Sequence, residues 1–189
     1  MIENLRPYLM CRYGQLLTIF NRNQRALEIY QEVARAYPRY RRAWSCAGFL
    51  LAEQQRFEPA IKAFERALAL DPLDASTCFN LGFVLQGVGR HQDAIERFQQ
   101  AVDTDRNLDR AWYGMGLSLA QLGRCEEAAQ KLEAAARLQP FNPYAGYELA
   151  GVRFKLGQHD KVRAEYERVK GFDPKVSERI RLDFGVRPE

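Results

Sequence analysis

Apolar residues recur along the chain with the spacing of amphipathic helices. Between residues 75 and 108, Leu81, Val84 and Leu85 follow helical spacing. A second set in the same stretch shows the same spacing: Ala94, Ile95, Phe98 and Ala101. A breaker, Gly87-Val-Gly-Arg, separates the two sets. The pattern therefore predicts two helices joined by a short turn, with no strand.

This helix pair returns every 34 residues. Small residues hold the eighth position of each repeat: Gly14, Gly48, Gly82, Gly116 and Ala150. Large residues hold the twenty-fourth position: Tyr30, Phe64, Phe98, Leu132 and Tyr166. Proline and alanine series share the period, so chance is a poor explanation. The small residues allow two helices to cross closely, and the large residue fills the neighbouring space.

The series divide the chain into five repeats, 7–40, 41–74, 75–108, 109–142 and 143–176. We expect one continuous array over residues 1–189, with no room for a separate domain. Residues 175–185 continue as a short amphipathic helix, in which Val176, Ile180 and Phe184 are spaced by four. One repeat cannot bury its own apolar face, so five stacked repeats with a closing helix make physical sense.

The repeat resembles the tetratricopeptide repeat, whose pattern is Trp, Leu-Gly, Tyr, then Ala, Phe, Ala, Pro. Repeat four shows it as Trp112, Met115-Gly116, Leu119, Ala128, Leu132, Ala135 and Pro140. Cys78 and Gly146 depart from it at the tryptophan position, Arg153 at the tyrosine position and Arg106 at the proline. The resemblance implies an all-α, right-handed α-solenoid of five helix-turn-helix repeats plus a C-terminal capping helix.

Composition excludes several classes of protein and sets expectations for others. An apolar fraction of 47% with 28% charged residues is that of an ordinary globular chain rather than a disordered one. No apolar run approaches the roughly 18 residues that a membrane span needs. The four cysteines lack CxxC spacing, which favours free thiols in a reducing compartment and hence a cytoplasmic location.

Candidate catalytic and metal-binding residues do not form a constellation. His91, Cys125 and His159 hold the seventeenth position of three successive repeats. Packed helices lie roughly 8–10 Å apart, too far for equivalent atoms to share a zinc ion at about 2.0–2.3 Å. Gly114-Met-Gly116 lacks the third glycine of a nucleotide-binding loop. We therefore expect no enzyme activity, no metal and no cofactor.

The resemblance implies that the first helix of each repeat lines a concave groove. Aromatic and apolar residues occupy the groove positions in most repeats, and an exposed aromatic stripe usually marks an interaction surface. Asn80 and Arg110 would add hydrogen bonds to a bound chain, and Gly114 would leave a shallow pocket beside Tyr113. The predicted groove residues are Phe49, Phe79, Asn80, Phe83, Arg110, Tyr113, Leu117, Tyr144, Tyr147 and Phe154.

The predicted function is a protein-protein interaction scaffold that binds an apolar or amphipathic peptide or helix of another protein. Alternatives are a secretion-type chaperone for an apolar client segment and a subunit of a larger complex that self-associates as a homo-oligomer. Residues 1–42 hold eight positive and three negative charges, and Arg39, Arg41 and Arg42 surround Tyr40. This patch leaves RNA binding as a third hypothesis, although aromatic groove residues stack on bases without discriminating them.

Overall fold

The computed structural model describes residues 5–187, which form eleven helices and no strand. The chain divides into two compact units, Met1–Val88 and Gly89–Glu189. The N-terminal unit contains α1 (Leu5–Ile19), α2 (Asn23–Ala36), α3 (Arg41–Glu53), α4 (Phe57–Leu70) and α5 (Ala75–Gly87). The C-terminal unit contains α6 (His91–Thr104), α7 (Asp109–Gln121), α8 (Cys125–Leu138), α9 (Pro143–Lys155), α10 (His159–Lys170) and α11 (Pro174–Phe184). The predicted all-α fold of five helix pairs with one further helix is confirmed.

Close approach between helices explains the small residue at the eighth position. In the N-terminal unit, a Cβ atom added to Gly48 would lie 2.8 Å from the Phe64 ring, and one on Gly14 would lie 2.7 Å from the Tyr30 ring. In the C-terminal unit, a Cβ atom on Gly116 would lie 2.6 Å from Leu132 Cγ. These distances are well inside the roughly 3.5–4.0 Å of a normal carbon-carbon contact. The predicted partnership of the eighth and twenty-fourth positions is therefore present in both units.

Each helix pair turns through a residue with left-handed backbone at the fifteenth position of its repeat. Repeats three to five have glycine there, with φ between 70° and 79°. Repeats one and two adopt the same conformation at Asn21 (φ 56°) and Gln55 (φ 58°), where the sequence shows no glycine. Glycine adopts this conformation without a Cβ penalty, asparagine tolerates it, and glutamine is the least suited of the three.

A hydrogen bond ties the fourth position of a repeat to the repeat before it. The indole N–H of Trp44 donates to the carbonyl of Pro38 at 3.0 Å, and that of Trp112 donates to the carbonyl of Arg106 at 3.0 Å. Proline and arginine serve equally here because the acceptor is a backbone carbonyl. The departure at Arg106 from the proline pattern therefore leaves this contact intact.

Repeat five makes the same contact with a different residue. Its fourth position is Gly146, and Nη1 of Arg168 on α10 donates to the carbonyl of Pro140 at 2.8 Å. A Cβ atom on Gly146 would lie 2.6 Å from Arg168 Nη2, so the glycine makes room for the guanidinium group. Gly146 and Arg168 together therefore do in repeat five what tryptophan does in repeats two and four.

Arg153, at the tyrosine position of repeat five, is held by carboxylates. Its Nη1 lies 2.8 Å from Glu165 Oε1 and its Nη2 lies 2.7 Å from Glu133 Oε1. The side chains of Arg153 and Glu165 are only 11% and 10% exposed. Arg168 also contacts Glu165, through Nη2 and Oε2 at 2.8 Å. This buried ionic network replaces the aromatic ring that the repeat pattern expects.

The helix predicted over residues 175–185 is α11. Asp173 caps its N-terminus by accepting hydrogen bonds from the amides of Lys175 and Val176. Ile180 is fully buried among residues of α9 and α10, whereas Leu182 stays 63% exposed. Because α11 packs against both helices of repeat five, it covers apolar surface that the last repeat would otherwise expose.

Candidate functional site

The N-terminal unit contains a cavity of about 500 Å³. This volume lies within the roughly 300–1,000 Å³ that ligand pockets usually span. Its walls come from α1, α2, α3, α5 and the segment before α5. The lining residues are Gln15, Thr18, Ile19, Tyr30, Ser45, Cys46, Phe49, Leu50, Asp74, Ser76, Thr77 and Asn80.

The cavity is lined mainly by apolar surface, into which a few hydroxyl, amide, thiol and carboxylate groups are set. Ile19, Phe49 and Leu50 form the apolar part, with Phe49 45% exposed. Tyr30 reaches the cavity because its ring crosses α1 at Gly14, where a side chain would collide with it. The mixture of apolar surface and a few polar groups suits an amphipathic ligand.

Asp74 holds one side of the cavity in place. Its carboxylate accepts hydrogen bonds from the Thr77 hydroxyl at 2.7 Å and the Thr77 amide at 3.4 Å, which caps α5. The guanidinium group of Arg41 pairs with both Asp74 and Asp71. Arg41 is thus engaged in ion pairs, which weakens the hypothesis that it belongs to a phosphate-binding patch.

The predicted groove residues of the N-terminal unit fall into two pairs. Phe49 and Asn80 both line the cavity, on α3 and α5. Phe79 and Phe83 lie outside its lining, and their rings stack on one face of α5 with centroids 6.4 Å apart. Phe83 is 62% exposed, whereas Phe79 is half-buried. Phe83 is therefore the most accessible aromatic residue of the four.

In the C-terminal unit, four predicted residues lie on α7 and α9 with different exposure. Arg110 is exposed and Tyr144 is 63% exposed. Leu117 is half-buried. Tyr113 packs against the core formed by α7, α8 and α9, and burial raises its pKa to about 12. Tyr113 thus contributes to the core as well as to the surface.

Helix α11 contacts the last two predicted residues, Tyr147 and Phe154. The Phe184 ring lies 5.5 Å from the Tyr147 ring and 5.6 Å from the Phe154 ring, measured between centroids. The Tyr147 hydroxyl donates to Asp183 Oδ2 at 2.6 Å, and this hydrogen bond raises the pKa of Tyr147. The guanidinium group of Arg179 lies 4.7 Å from the centre of the same ring. Both side chains thus have partners within the chain.

The expected shallow pocket at Gly114 is wrong. Gly114 is buried, and a Cβ atom there would lie 2.6 Å from Cζ of Phe98. The Phe98 ring, which is fully buried, fills the space that the missing side chain leaves. Gly114 belongs to helix packing, by the same close approach as Gly116.

The predicted groove residues leave out most of the polar groups that line the cavity. Ser45, Cys46 and Ser76 hold the fifth, sixth and second positions of their repeats, but their small size gave no distinctive signal. Tyr30 holds a position that is buried in every repeat. The only sequence signal for its role is that a tyrosine stands opposite Gly14, so that the hydroxyl end of the Tyr30 ring extends past α1 to the cavity.

Cys11 and Cys46 lie in surroundings that disfavour the thiolate form. Burial raises the pKa of the Cys11 thiol to about 12 and also raises that of Cys46. Both are neutral thiols near pH 7, whereas a catalytic cysteine acts as a thiolate. Across residues 5–187, no three His, Cys, Asp or Glu residues are grouped so that they could hold a metal ion. The His159 ring packs edge-on against Phe154 at 5.7 Å.

Solved structures of low sequence identity share the fold. MamA from Desulfovibrio magneticus RS-1 is 19% identical with a TM-score of 0.83, over 90% of this chain and 96% of that chain. YrrB, a TPR protein with an unusual peptide-binding site, is 21% identical with a TM-score of 0.82, over 96% of this chain and 95% of that chain. PilF from Pseudomonas aeruginosa is 18% identical with a TM-score of 0.80, over 98% of this chain and 87% of that chain.

Sequence comparison agrees with the structural likeness. No match to a curated protein sequence is found. Two family models of the tetratricopeptide repeat match the chain, one over residues 39–107 and the other over residues 79–143 and 113–176. The second model alone accounts for more than half of the chain, and its matches keep the 34-residue register of the repeats. The chain therefore belongs to the tetratricopeptide-repeat (TPR) family.

Proposed function

We propose that this protein is a non-enzymatic interaction scaffold, and that the cavity of its N-terminal unit binds a peptide or helix of a partner protein. The observation that carries the proposal is the cavity itself, with Phe49 and Asn80 on facing helices. YrrB supports the proposal only as an example of the same fold with a peptide-binding site.

The cavity wall defines the ligand that fits best. Ile19, Phe49 and Leu50 offer a surface for one or two apolar side chains of the ligand. The Asn80 amide provides both a donor and an acceptor, as a peptide backbone requires. Phe83, 62% exposed on the same helix as Asn80, would extend the contact along α5. An amphipathic segment satisfies both kinds of surface.

The proposal includes a second candidate surface on the C-terminal unit. It consists of Arg110, Tyr113, Leu117 and Tyr144. Arg110 and Tyr144 are its exposed members and would contact acidic or aromatic groups of a partner. Tyr147 and Phe154 contribute less, because a ligand would compete there with Phe184 of α11. We therefore expect substitutions at Tyr147 and Phe154 to act mainly on the packing of α11.

The neutral thiols of Cys11 and Cys46 support a role without catalysis. No helix among the described residues is long and apolar enough to cross a membrane. A cytoplasmic location remains part of the proposal. A secretion-type chaperone would use the same cavity, but it would accept several unrelated apolar segments rather than one.

Affinity capture from the native lysate, followed by mass spectrometry, tests the proposal with three baits. They are the wild-type protein, Phe83→Glu and a matched control, Phe141→Glu. Phe141 is 79% exposed, lies in the loop before α9 and is not one of the residues that line the cavity. A specific partner should be retained by wild type and Phe141→Glu and lost from Phe83→Glu.

Measuring the binding of the partner's segment to purified variants then gives the size of the loss in affinity. Phe83 lies one helical turn from Asn80 on α5, beyond the cavity lining. Truncation of an aromatic anchor of an interface costs about 2 kcal/mol or more, so Phe83→Ala should weaken binding by roughly thirtyfold if the ligand extends along α5. Because Phe83 is largely exposed, its truncation should change the free energy of unfolding by less than about 1 kcal/mol. Equal retention of every captured protein by all three baits would contradict the proposal. Retention of many unrelated apolar segments would favour the chaperone.

A further inference from the structure

Helix α1 carries an exposed apolar face that the proposed cavity does not use. We call it the α1 outer face, and it consists of Leu5, Leu9, Tyr13, Leu16 and Phe20. These side chains are between 47% and 73% exposed. Phe20 follows α1 directly, and its amide donates to the carbonyl of Leu16 at 3.1 Å, so it continues the helical spacing.

The α1 outer face is one continuous stripe. Its members are spaced by four, four, three and four residues, which confines them to an arc of about 80° at 3.6 residues per turn. The buried residues Pro7, Cys11 and Gly14 lie on the opposite side of the helix. Individually exposed apolar residues are common on protein surfaces, but a stripe that runs the length of a helix usually marks an interaction site.

In repeat two, the corresponding positions are buried by the preceding helix. Ala43, Ala47 and Leu50 on α3 correspond to Leu9, Tyr13 and Leu16 on α1, and they are at most 3% exposed. Helix α2 precedes α3 and packs against it. Among the described residues, the corresponding face of α1 is exposed instead.

Side-chain size shows that this face is not shaped for another repeat of the same array. The third position of each later repeat is small and at most 2% exposed: Ala43, Thr77, Ala111 and Ala145. Leu9 holds that position in repeat one. A helix placed as the other repeats place theirs would collide with the larger side chain. The occupant must therefore cross α1 with a different geometry.

The charge around the face defines its partner further. On the helical wheel, Arg6 and Arg12 border the stripe on its two edges. Residues 5–27 contain four arginines, Arg6, Arg12, Arg22 and Arg25, and no aspartate or glutamate. Two copies of this face would bring like charges together, which disfavours a symmetric dimer. The face is complementary to an apolar surface with negative edges.

We propose that the α1 outer face docks an amphipathic helix of a partner protein, whose apolar stripe is flanked by aspartate or glutamate. Leu9, Tyr13, Leu16 and Phe20 follow the alternating four-three spacing of a heptad seam, so a partner helix would interdigitate with them. Arg6 and Arg12 pair with its acidic edges and favour this partner over a basic one. A helix is favoured over a lipid surface because the stripe has the spacing of a heptad seam, which a second helix matches.

The test uses two model peptides of three heptads, lactam-bridged to keep them helical, with leucine at the a and d positions. Peptide E carries glutamate and peptide K carries lysine at the e and g positions. Fluorescence anisotropy with the full-length protein should show at least tenfold tighter binding of peptide E. Leu16→Glu should weaken that binding at least tenfold, and the double variant Arg6→Glu/Arg12→Glu should prefer peptide K.

Two controls separate this surface from others. Leu182→Glu places the same substitution at a 63% exposed leucine of α11, and it should leave the binding of peptide E unchanged. Phe83→Glu should also leave it unchanged, so this inference stands or fails independently of the cavity. Circular dichroism of each variant confirms that it is folded, as expected for residues this exposed.

Three results would overturn the inference. The first is equal binding of peptides E and K by the wild-type protein. The second is co-sedimentation with phosphatidylglycerol vesicles that Leu16→Glu abolishes while neither peptide binds, which would assign the face to a membrane. The third is a dimer in sedimentation velocity that Leu16→Glu dissociates and that neither peptide disrupts, which would assign the face to a second copy.

Discussion

The contact between Gly116 and Leu132 predicts that adding one methyl group will destabilise the protein. A Cβ atom on residue 116 would lie 2.6 Å from Leu132 Cγ, 2.8 Å from Cδ2 and 3.3 Å from the backbone nitrogen of Leu132. The overlap with Cγ is about 1 Å relative to normal contact. Cγ is a branch point and the nitrogen belongs to α8, so rotation of a flexible chain end cannot relieve the overlap.

Two opposing contributions determine how much Gly116→Ala changes the free energy of unfolding. Overpacking of a closed contact costs about 1–3 kcal/mol, whereas alanine in place of glycine favours a helix by roughly 0.8–1.0 kcal/mol. Gly87→Ala, at the C-terminal end of α5, is the control without a close contact, because no atom outside the local backbone lies within 4 Å of the added Cβ atom. The wild type should therefore melt between a more stable Gly87→Ala and a less stable Gly116→Ala.

Thermal unfolding followed by circular dichroism measures the difference between the two variants. An interval of roughly 1–3 kcal/mol corresponds to about 2–12 °C for a chain of this size. Hydrogen exchange should place the loss of protection in α7 and α8. If Gly116→Ala melts at or above Gly87→Ala, the eighth position is not a close contact and the packing argument fails.

A double-mutant cycle tests the named partner directly. Leu132→Ala alone removes the colliding Cγ atom and should cost about 2–5 kcal/mol, because Leu132 is fully buried. In the double variant Gly116→Ala/Leu132→Ala, the new methyl group enters vacated space. The combined loss should therefore be smaller than the sum of the two single losses by roughly 0.5–3 kcal/mol. Strict additivity would show that the two residues do not touch.

Three further predictions concern stability and reactivity. Arg153→Met should destabilise the protein by about 3 kcal/mol in urea unfolding, because it leaves the buried Glu165 with one cation fewer; an unchanged midpoint would contradict the network. Gln55→Gly should raise the melting temperature, since glycine relieves about 1 kcal/mol of left-handed strain; a lower melting temperature would show that Gln55 is unstrained. At pH 8, iodoacetamide should modify Cys11 at least about a hundredfold more slowly in the native protein than in urea, because its pKa is raised to about 12; equal rates would refute the burial of that thiol.

The fold was predictable because its determinants are local and repeated. The eighth and twenty-fourth positions meet within one helix pair, so their spacing in the sequence is enough to predict the contact. The turns of repeats one and two were less visible, because Asn21 and Gln55 adopt the conformation that glycine adopts in later repeats. Only alignment with the other repeats reveals them, since neither residue alone signals a left-handed turn.

The candidate site was only partly predictable because it depends on contacts between distant segments. The aromatic character of Phe49 and Phe83 was visible in the sequence, and both are exposed. The contact of Phe184 with Tyr147 and Phe154 was not visible, because it comes from a helix outside the five repeats. The cavity was not predicted for the same reason, since its lining residues on α1, α2, α3 and α5 come together only in the folded unit.

Repeat five shows that a repeat can depart from its sequence pattern and keep its physical contacts. In repeats two and four, the fourth position supplies a side-chain donor for a backbone carbonyl of the repeat before it. Trp44 and Trp112 supply it from their indole rings, whereas in repeat five Arg168 supplies it from the second helix. Glycine at position 146 therefore has a structural role, since a side chain there would displace the guanidinium group of Arg168. The pair Gly146 and Arg168 therefore preserves, by different chemistry, the contact that tryptophan makes elsewhere in the chain.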